Sequence, residues 1–460
     1  MTSSGITDST EDLSQGRFAW LKHLWEAKYL LLWVSLLTLA TEWAGCFKGS
    51  ETAALDVLIS VFTEPRRAPH VIIVGIQDQD YQEIFEATSP LKPQRVHDLI
   101  HAISLSNPRV IGIDLDTSAT QFNGFQNEPR WPPVIWARGA TQITEEKGFT
   151  IKLMESLKGM LKPFIKERNQ SVFQTADMLG EHKNEPNLLS GIALLPQDGD
   201  GLIRRYWRVF NTVEPEASTD KPSITDSFPW AIVQAYCRNT AKKPNECTEV
   251  TPTYGGNQTE EELVLNFAGD RYRFERIDAT EVLKLARTDA WQKDGLLKDK
   301  IVLLGGFYRA ARDEYVTPVG PMAGVELMGQ AIESDLEGTG IRAANHLLMF
   351  LMEILVGIGL VYVHYRFKSS TLVFFAIPPL LLLGSFIAFK SLAYWASYVP
   401  ILFAVRMHKN YTHRKEDREL REELDKYQKR YGQLDEITPT REAIAIHEQD
   451  TNSVKESSNP

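Results

Sequence analysis

Three aspartates, Asp78, Asp114 and Asp116, follow closely on two short apolar runs, Val71–Ile76 and Val110–Ile113. Such runs read as buried strands. The carboxylates then stand at the carboxyl ends of two neighbouring strands, the edge where open α/β sheets bind ligands. Close carboxylates repel one another unless a cation, an arginine or a bound amine lies between them. Arg95 and Arg312 are the arginines placed to serve. The competing reading is structural, since Asp at such places caps helices and closes turns.

Other constellations carry less chemistry. His97 and His101 are four apart on one predicted helix, a metal-ligand spacing, but Asp98 stands where a zinc protease has its catalytic Glu. They flank the apolar stripe Val96, Leu99, Ile100 and Ile103 and read as a half-buried surface pair, so no metal site is expected. Asp198-Gly199-Asp200-Gly201 begins like a calcium loop, yet Val209 occupies the place of the bidentate Glu. An Asp-Gly turn between strands accounts for it better. Arg204 and Arg205 follow on a strand, so one faces inward and one outward. An inward Arg needs a carboxylate, which would link this turn to the acidic strand ends. Gly305-Gly306 closes an apolar run and is a bare candidate for receiving an anion. There is no Walker motif, G-x-G-x-x-G, H-E-x-x-H or G-x-S-x-G, so neither an enzyme nor a cofactor is expected.

The elements that must position these residues alternate in type. Val71–Ile76, the helical stripe 96–103 and Arg109–Asp114 make a strand–helix–strand unit, which predicts a parallel pair joined by a crossover. Ile301–Leu304 adds a further strand, and Val325, Met328 and Ile332 have helical spacing. Gly148–Asn169 reads as a charged amphipathic helix inside an insert, residues 118–185, whose role the sequence leaves open. Three cysteines are too few for a disulfide scaffold. Cys46 ends an apolar stretch and reads as an inert buried thiol. Cys237 and Cys247 flank a polar loop and either pair or stay free.

The formal net charge of −10 over 460 residues argues against nucleic-acid binding. Four apolar runs suggest a membrane instead: Tyr29–Phe47, Leu347–Tyr365, Leu372–Phe389 and the shorter Leu392–Val405. Glu42 stands near the far end of the first and reads as reaching the outer interface. Basic residues Arg17, Lys22 and Lys28 precede the first run, and Arg406, Lys409, Arg414 and Lys415 follow the last. The positive-inside rule then places both termini in the cytoplasm. The expected segments are 1–28 inside, 29–47 crossing, 48–345 outside, 347–405 as three crossings and 406–460 inside. In the last segment Leu420, Leu424, Tyr427, Tyr431 and Leu434 are spaced as a short heptad seam.

Several ordered motifs resemble the type-two CHASE domain, a sensory extracellular domain found on cyclases and histidine kinases. Lys300–Gly305 is similar to its closing "KIVLIG" strand, Asp313–Pro318 to "D-x-F-x-T-P", and Gly324-Val325-Glu326 to the start of "G-V-E-x-H-A". Met328 and Gly329 depart from the last two positions. Val71–Asp78, Ile113-Asp114-Leu115, Asp198–Arg205, Ser227–Pro229, Leu265–Gly269 and Ala279–Leu283 match further motifs in order. Of the usual "W-P-W-x-R", only Pro93-Gln94-Arg95 keeps the end. The resemblance implies an α/β extracytoplasmic sensor domain with a mostly parallel sheet, plus a helical membrane bundle of one N-terminal and three C-terminal spans. The setting it implies is a bacterial cell (inner) membrane.

The chain after Ile437 is too short for a kinase or cyclase. The expectation is therefore a sensor that signals through a separate protein, the alternative being an envelope scaffold that binds other proteins without a small-molecule signal. Expected partners are the lipid bilayer, an unidentified signal ligand, a signalling or envelope protein and a second copy of the chain. Ligand-binding candidates are Asp78, Arg95, Asp114, Asp116, Arg204, Asp313, Thr317 and Glu326.

Overall fold

A computed structural model of the chain describes residues 46–62, 68–143, 172–176, 189–213, 223–238, 262–267, 274–344, 346–367, 370–392 and 394–431. It also describes parts of 29–41 and the single residues 179 and 247. The expected insert helix Gly148–Asn169 and the seam beyond Tyr431 lie outside the described residues.

The first elements in chain order are α1 (Lys48–Phe62), β1 (Val71–Ile76), α2 (Asp78–Glu83), α3 (Pro93–Ser104), β2 (Val110–Asp114) and β3 (Val134–Arg138). There follow β4 (Ala140–Ile143), β5 (Val172–Thr175), β6 (Leu189–Ile192), β7 (Arg205–Trp207), β8 (Val209–Val213), β9 (Ser223–Asp226) and α4 (Phe228–Arg238). The next stretch holds β10 (Glu262–Val264), β11 (Glu275–Asp278), α5 (Ala279–Leu285), α6 (Asp289–Asp294), β12 (Ile301–Gly306) and the hairpin β13 (Glu314–Thr317) with β14 (Gly320–Ala323). The last elements are α7 (Gly324–Leu336), β15 (Ile341–Ala343), α8 (His346–Phe367), α9 (Ser370–Leu392), β16 (Tyr394–Trp395) and α10 (Val399–Tyr431).

The main sheet has six strands in the order β11-β1-β12-β2-β3-β6, with every pairing parallel. A parallel sheet is covered on both faces, so its strands are apolar throughout rather than alternating. β1 and β12 are buried at all positions. The strand period of two sends Ile73, Val110, Leu303 and Ile135 to a core shared with α1, α4 and α7. Ile72, Val74, Ile111, Ile113, Val302 and Leu304 go to a second core, shared with α3 and α5. The stripe Val96, Leu99, Ile100 and Ile103 is fully buried there. The expected pairing of β1 with β2 is corrected, because β12 lies between them. A strand 190 residues downstream takes the centre, and no local pattern specifies that.

Two four-stranded sheets flank this centre, in the orders β4-β5-β8-β9 and β16-β15-β10-β7. The second matters for the apolar run Leu392–Val405, which is not one helix. Tyr394–Trp395 pairs with β15 instead, Trp395 is buried among domain residues, and helix resumes only at Val399. Among the described residues no helix is long and apolar enough to cross a membrane. α8 and α9 cover the two preceding apolar runs, their side chains described in part. The first run, 29–47, is described in part, with helix over residues 32–38. Cys46 is exposed, against the expectation of a buried thiol.

α7 is buried at all thirteen of its positions, including three carboxylates. A helix enclosed on every side is normally apolar all round, so each charge needs its partners. Glu326 accepts from the Ala323 N–H at 2.9 Å and pairs with Arg276 on β11. Glu333 accepts from the His70 and Val71 N–H groups at 2.9 and 2.8 Å and meets His70 Nδ1 at 2.9 Å. Asp335 accepts from the Tyr206 hydroxyl at 2.7 Å and from Arg208 Nε and Nη2 at 3.0 and 2.8 Å. Removing one partner of such a group strands the others in a dry interior. Glu333→Ala is therefore expected to cost about 3–5 kcal/mol in denaturant unfolding of the purified protein. Glu333→Gln, which can still accept from the two N–H groups, should cost visibly less.

Candidate functional site

At the carboxyl edge of the main sheet, Gly75, Gly305 and Asp114 stand side by side in register on β1, β12 and β2. β1, which leads to Asp78, and β2, which ends at Asp114, are thus separated by a strand and lie roughly 10 Å apart in the sheet, and are not the neighbouring strands the sequence suggests. Asp78 begins α2, and its carboxylate accepts from the Arg309 N–H at 2.9 Å. Asp116 accepts from the Ser118 N–H and hydroxyl at 3.0 and 2.7 Å, which closes a turn. Asp116 thus closes a turn, as the structural reading has it, whereas Asp78 ties the start of α2 to the loop after β12.

Asp114 is different. It ends β2 and faces the loop after β12, which carries Tyr308, Asp313 and Tyr315. Burial, then the charge of Asp313, pushes the Asp114 carboxyl up to about 7. Burial also raises Asp313, which the Tyr315 hydroxyl and the Gly324 N–H partly offset by donating to it. The Tyr315 hydroxyl is pushed up to about 12 by burial, then by Asp313. Tyr308 stacks on Tyr81 at 4.4 Å, and burial raises it first, with Tyr81, Asp116 and Asp313 adding to the effect. The result is two carboxyl groups with raised proton affinity, Asp114 under the influence of Asp313, beside two phenols. Such a group holds a proton more readily than isolated carboxylates do.

The closing motif is explained by this geometry. A Cβ on Gly324 would lie 2.2 Å from Asp313 Oδ2, so only glycine lets that carboxylate sit on the N-terminus of α7. A Cβ on Gly305 would lie 2.5 Å from Val325, so Gly305 serves close packing of α7 against β12 rather than an anion cradle. The Thr317 hydroxyl donates to the Gly320 carbonyl at 2.6 Å and stays inside its hairpin.

The remaining candidates lie elsewhere. Arg95 is exposed on α3 and meets Asp98 of the same helix at 3.6 Å. Arg312 is exposed and left-handed, with φ of 52°. Arg204 is the inward arginine, 1% exposed, but its partners correct the expectation. It donates to Asp56 on α1 at 2.6 and 2.7 Å, to Asp198 at 2.8 Å and to Asp200 at 2.9 and 2.7 Å. None of these is at the strand edge. His97 and His101 both face Glu128, at 3.4 Å each. Among the described residues no group of three His, Cys, Asp or Glu is arranged to hold a metal ion. Cys237 and Cys247 form a disulfide. Tyr308, Tyr315 and Arg276 escaped sequence reasoning as site residues. Tyr315 stood inside a quoted motif, where its hydroxyl was the available signal.

A family model described as the CHASE2 domain matches residues 30–364. No curated protein and no solved structure matches the chain.

The raised carboxyl predicts a pH dependence. Between the ordinary carboxylate range and about 7 the folded chain keeps a proton on Asp114 that the unfolded chain has released. That contribution to stability is complete below the ordinary range and is lost as pH rises through the folded value. Asp114→Asn removes the penalty of ionising a buried group. Its Tm should match the unaltered protein near pH 4 and exceed it by several degrees at pH 8. Parallel Tm curves would show that Asp114 ionises without cost.

Proposed function

The chain belongs to the CHASE2 domain family of sensory extracellular domains, and from that premise we propose a membrane-anchored sensor that reads its signal at the Asp114–Asp313 edge and passes it through its helices to a separate protein. The observation that carries this reading is the sheet β16-β15-β10-β7. β15 runs directly into α8 and β16 into α10, and the two strands pair in parallel through Arg342–Tyr394 and Ala343–Trp395. A shift of the outer domain against that sheet must move both helices. Arg204 supplies a second link, since all five of its N–H donors engage Asp56, Asp198 and Asp200, tying α1 to the turn before β7.

Three features support the anchoring. Leu348, Leu351, Leu355, Leu380 and Leu383 on α8 and α9 are all at least 47% exposed, an apolar surface that water does not favour. Val34 and Ser35 of the first apolar run share a small cavity with Glu353 of α8 and His408 of α10, so the three pack together and turn polar groups inward. The Cys237–Cys247 disulfide suits an oxidising space outside the cytoplasm.

α10 is the demanding element. Its apolar start, residues 399–405, covers roughly 10 Å at 1.5 Å per residue, against a hydrocarbon core of about 30 Å. Crossing requires its polar side to face the bundle, as His408 does, and Arg406 and Lys409 to reach an interface. Topology therefore tests the proposal directly. A reporter enzyme active only outside the cytoplasm should work when fused after residue 200 and stay silent when fused after residue 440. Activity at 440 would turn α10 back to the outer side and remove the route to a cytoplasmic partner.

A further inference from the structure

The loop between β2 and β3, residues 115–133, leaves the carboxyl edge of the main sheet just after Asp114. Phe122, Phe125 and Trp131 anchor it, all buried in the core shared with α3. Its last turn is closed by the Trp131 N–H, which donates to the Glu128 carbonyl at 3.0 Å. Pro129 stands second in that turn, where its fixed φ is already correct. The turn brings two polar groups to one place. The Glu128 carboxylate faces His97 Nε2 with one oxygen and His101 Nδ1 with the other, at 3.4 Å each. The Trp131 Nε1–H also donates to His101 Nδ1, at 3.5 Å.

One imidazole nitrogen thus faces an acceptor and a donor, and it can satisfy only one of them. A neutral ring with its proton on Nε2 offers Nδ1 as an acceptor, which suits Trp131. A charged ring carries a proton on Nδ1 as well, which suits Glu128 and repels the Trp131 N–H. The His97 ring lies 5.7 Å from the Phe125 ring and 4.9 Å from the Trp131 ring, within the range at which aromatic faces attract a cation. Two charged rings four residues apart repel each other unless a carboxylate lies between them, and Glu128 gives one oxygen to each. We propose that His97, His101 and Glu128 form a proton-binding clamp, which in acid draws the Glu128–Trp131 turn onto α3 and at alkaline pH leaves that turn to Trp131. The clamp is built from one helix and one loop, and needs neither a membrane nor a ligand at the Asp114–Asp313 edge.

The surrounding charges leave Glu128 in control. On α3 itself Arg95 and Asp98 meet at 3.6 Å, and Gln94 donates to Asp98 at 3.1 Å. Besides Glu128 the loop brings Arg130, which is exposed. α5 packs over β1 and β11, on the side of α3 away from this loop, and on α6 the Trp291 Nε1–H donates to the Ala102 carbonyl at 2.9 Å. At roughly 100° per residue, Ala102 and the two histidines lie on opposite flanks of the apolar stripe. Glu281 and Lys284 of α5 and Asp289 and Lys293 of α6 therefore stand on the far flank from the imidazoles. Histidine is the side chain that changes charge between pH 5 and 8. The Glu128 contact is present at the acid end of that interval and is lost as pH rises through it.

Hydrogen exchange of the full-length protein in detergent tests the clamp. It is read on a peptide covering residues 119–133 and corrected for the intrinsic effect of pH on exchange. A peptide covering Val71–Ile76 serves as the control and should be unchanged throughout. Glu128→Gln should speed exchange of the loop by about two- to fivefold at pH 5.5, the scale of partly exposed ion pairs, and leave it unaltered at pH 8.5. Trp131→Phe should show the reverse bias, with a larger loss of protection at pH 8.5 than at pH 5.5. Packing lost by either change acts at both pH values, so the ratio between them is the readout. Replacing both histidines, His97→Gln with His101→Gln, should make loop exchange independent of pH. A Glu128→Gln effect of equal size at both pH values, or none at either, would overturn the proposal. So would a Trp131→Phe loss that is equal or greater in acid, or a pH dependence that survives removal of both histidines.

Discussion

The structure depends on burying a charged helix. α7 is enclosed at every position yet carries Glu326, Glu333 and Asp335. Each carboxylate reaches a different element: Arg276 on β11, the backbone entering β1, and Tyr206 with Arg208 at β7. An uncompensated buried charge costs several kcal/mol, so displacing any of those elements is costly. Apolar packing alone tolerates sliding and repacking. The three paired charges instead specify one position of the main sheet relative to the small sheet that leads to α8 and α10. Stability and geometry are thus coupled through the same residues.

α7 also joins the two ends of the proposed signalling route. Its N-terminus receives the Asp313 carboxylate beside Gly324, and its C-terminal turn holds Asp335 against β7. Thirteen residues span roughly 20 Å of helix, and a buried helix moves as a rigid piece. Two effects oppose each other at its start. Burial favours the neutral form of Asp313, whereas the Gly324 N–H and the helix dipole favour the charged form. A proton arriving at Asp114 changes that balance, because Asp114 is under the influence of the Asp313 charge. The nearest backbone to respond is the first turn of α7.

Local pattern made much of this legible. The strand runs at 71–76 and 110–113 and the stripe on α3 are where hydrophobic period places them, because burial on one face leaves its mark at every second or fourth residue. Gly324 and Glu326 were visible as a motif, and the structure supplies their reasons: a carboxylate in contact, and a cap with an arginine partner. Long-range pairing was not legible. β12 enters between β1 and β2 from far downstream, and Arg204 finds Asp56 across 148 residues of chain. Each isolated segment is equally satisfied with other neighbours, so neither choice is encoded locally. The site shifted for the same reason. Once β12 separates β1 from β2, the acidic pair becomes Asp114 with Asp313.

The run Leu392–Val405 shows how tertiary demand divides a continuous apolar pattern. As a sequence it lacks a breaker until Pro400, and hydropathy alone reads it as one span. In the structure Trp395 is buried in the domain core, and the Ala344 N–H donates to its carbonyl at 2.7 Å. Residues 394–395 therefore extend the β15 edge, which would otherwise leave unpaired N–H and C=O groups beside the apolar helices. Pro400 then falls in the first turn of α10, where its missing N–H costs nothing. The apolar residues of the run serve two solvents in succession, first the core of the domain and then the helix interface formed by Val405 with Val356 and Val363. The domain thereby holds the connection between α9 and α10, and neither helix can shift along its axis without disturbing the β15–β16 pair.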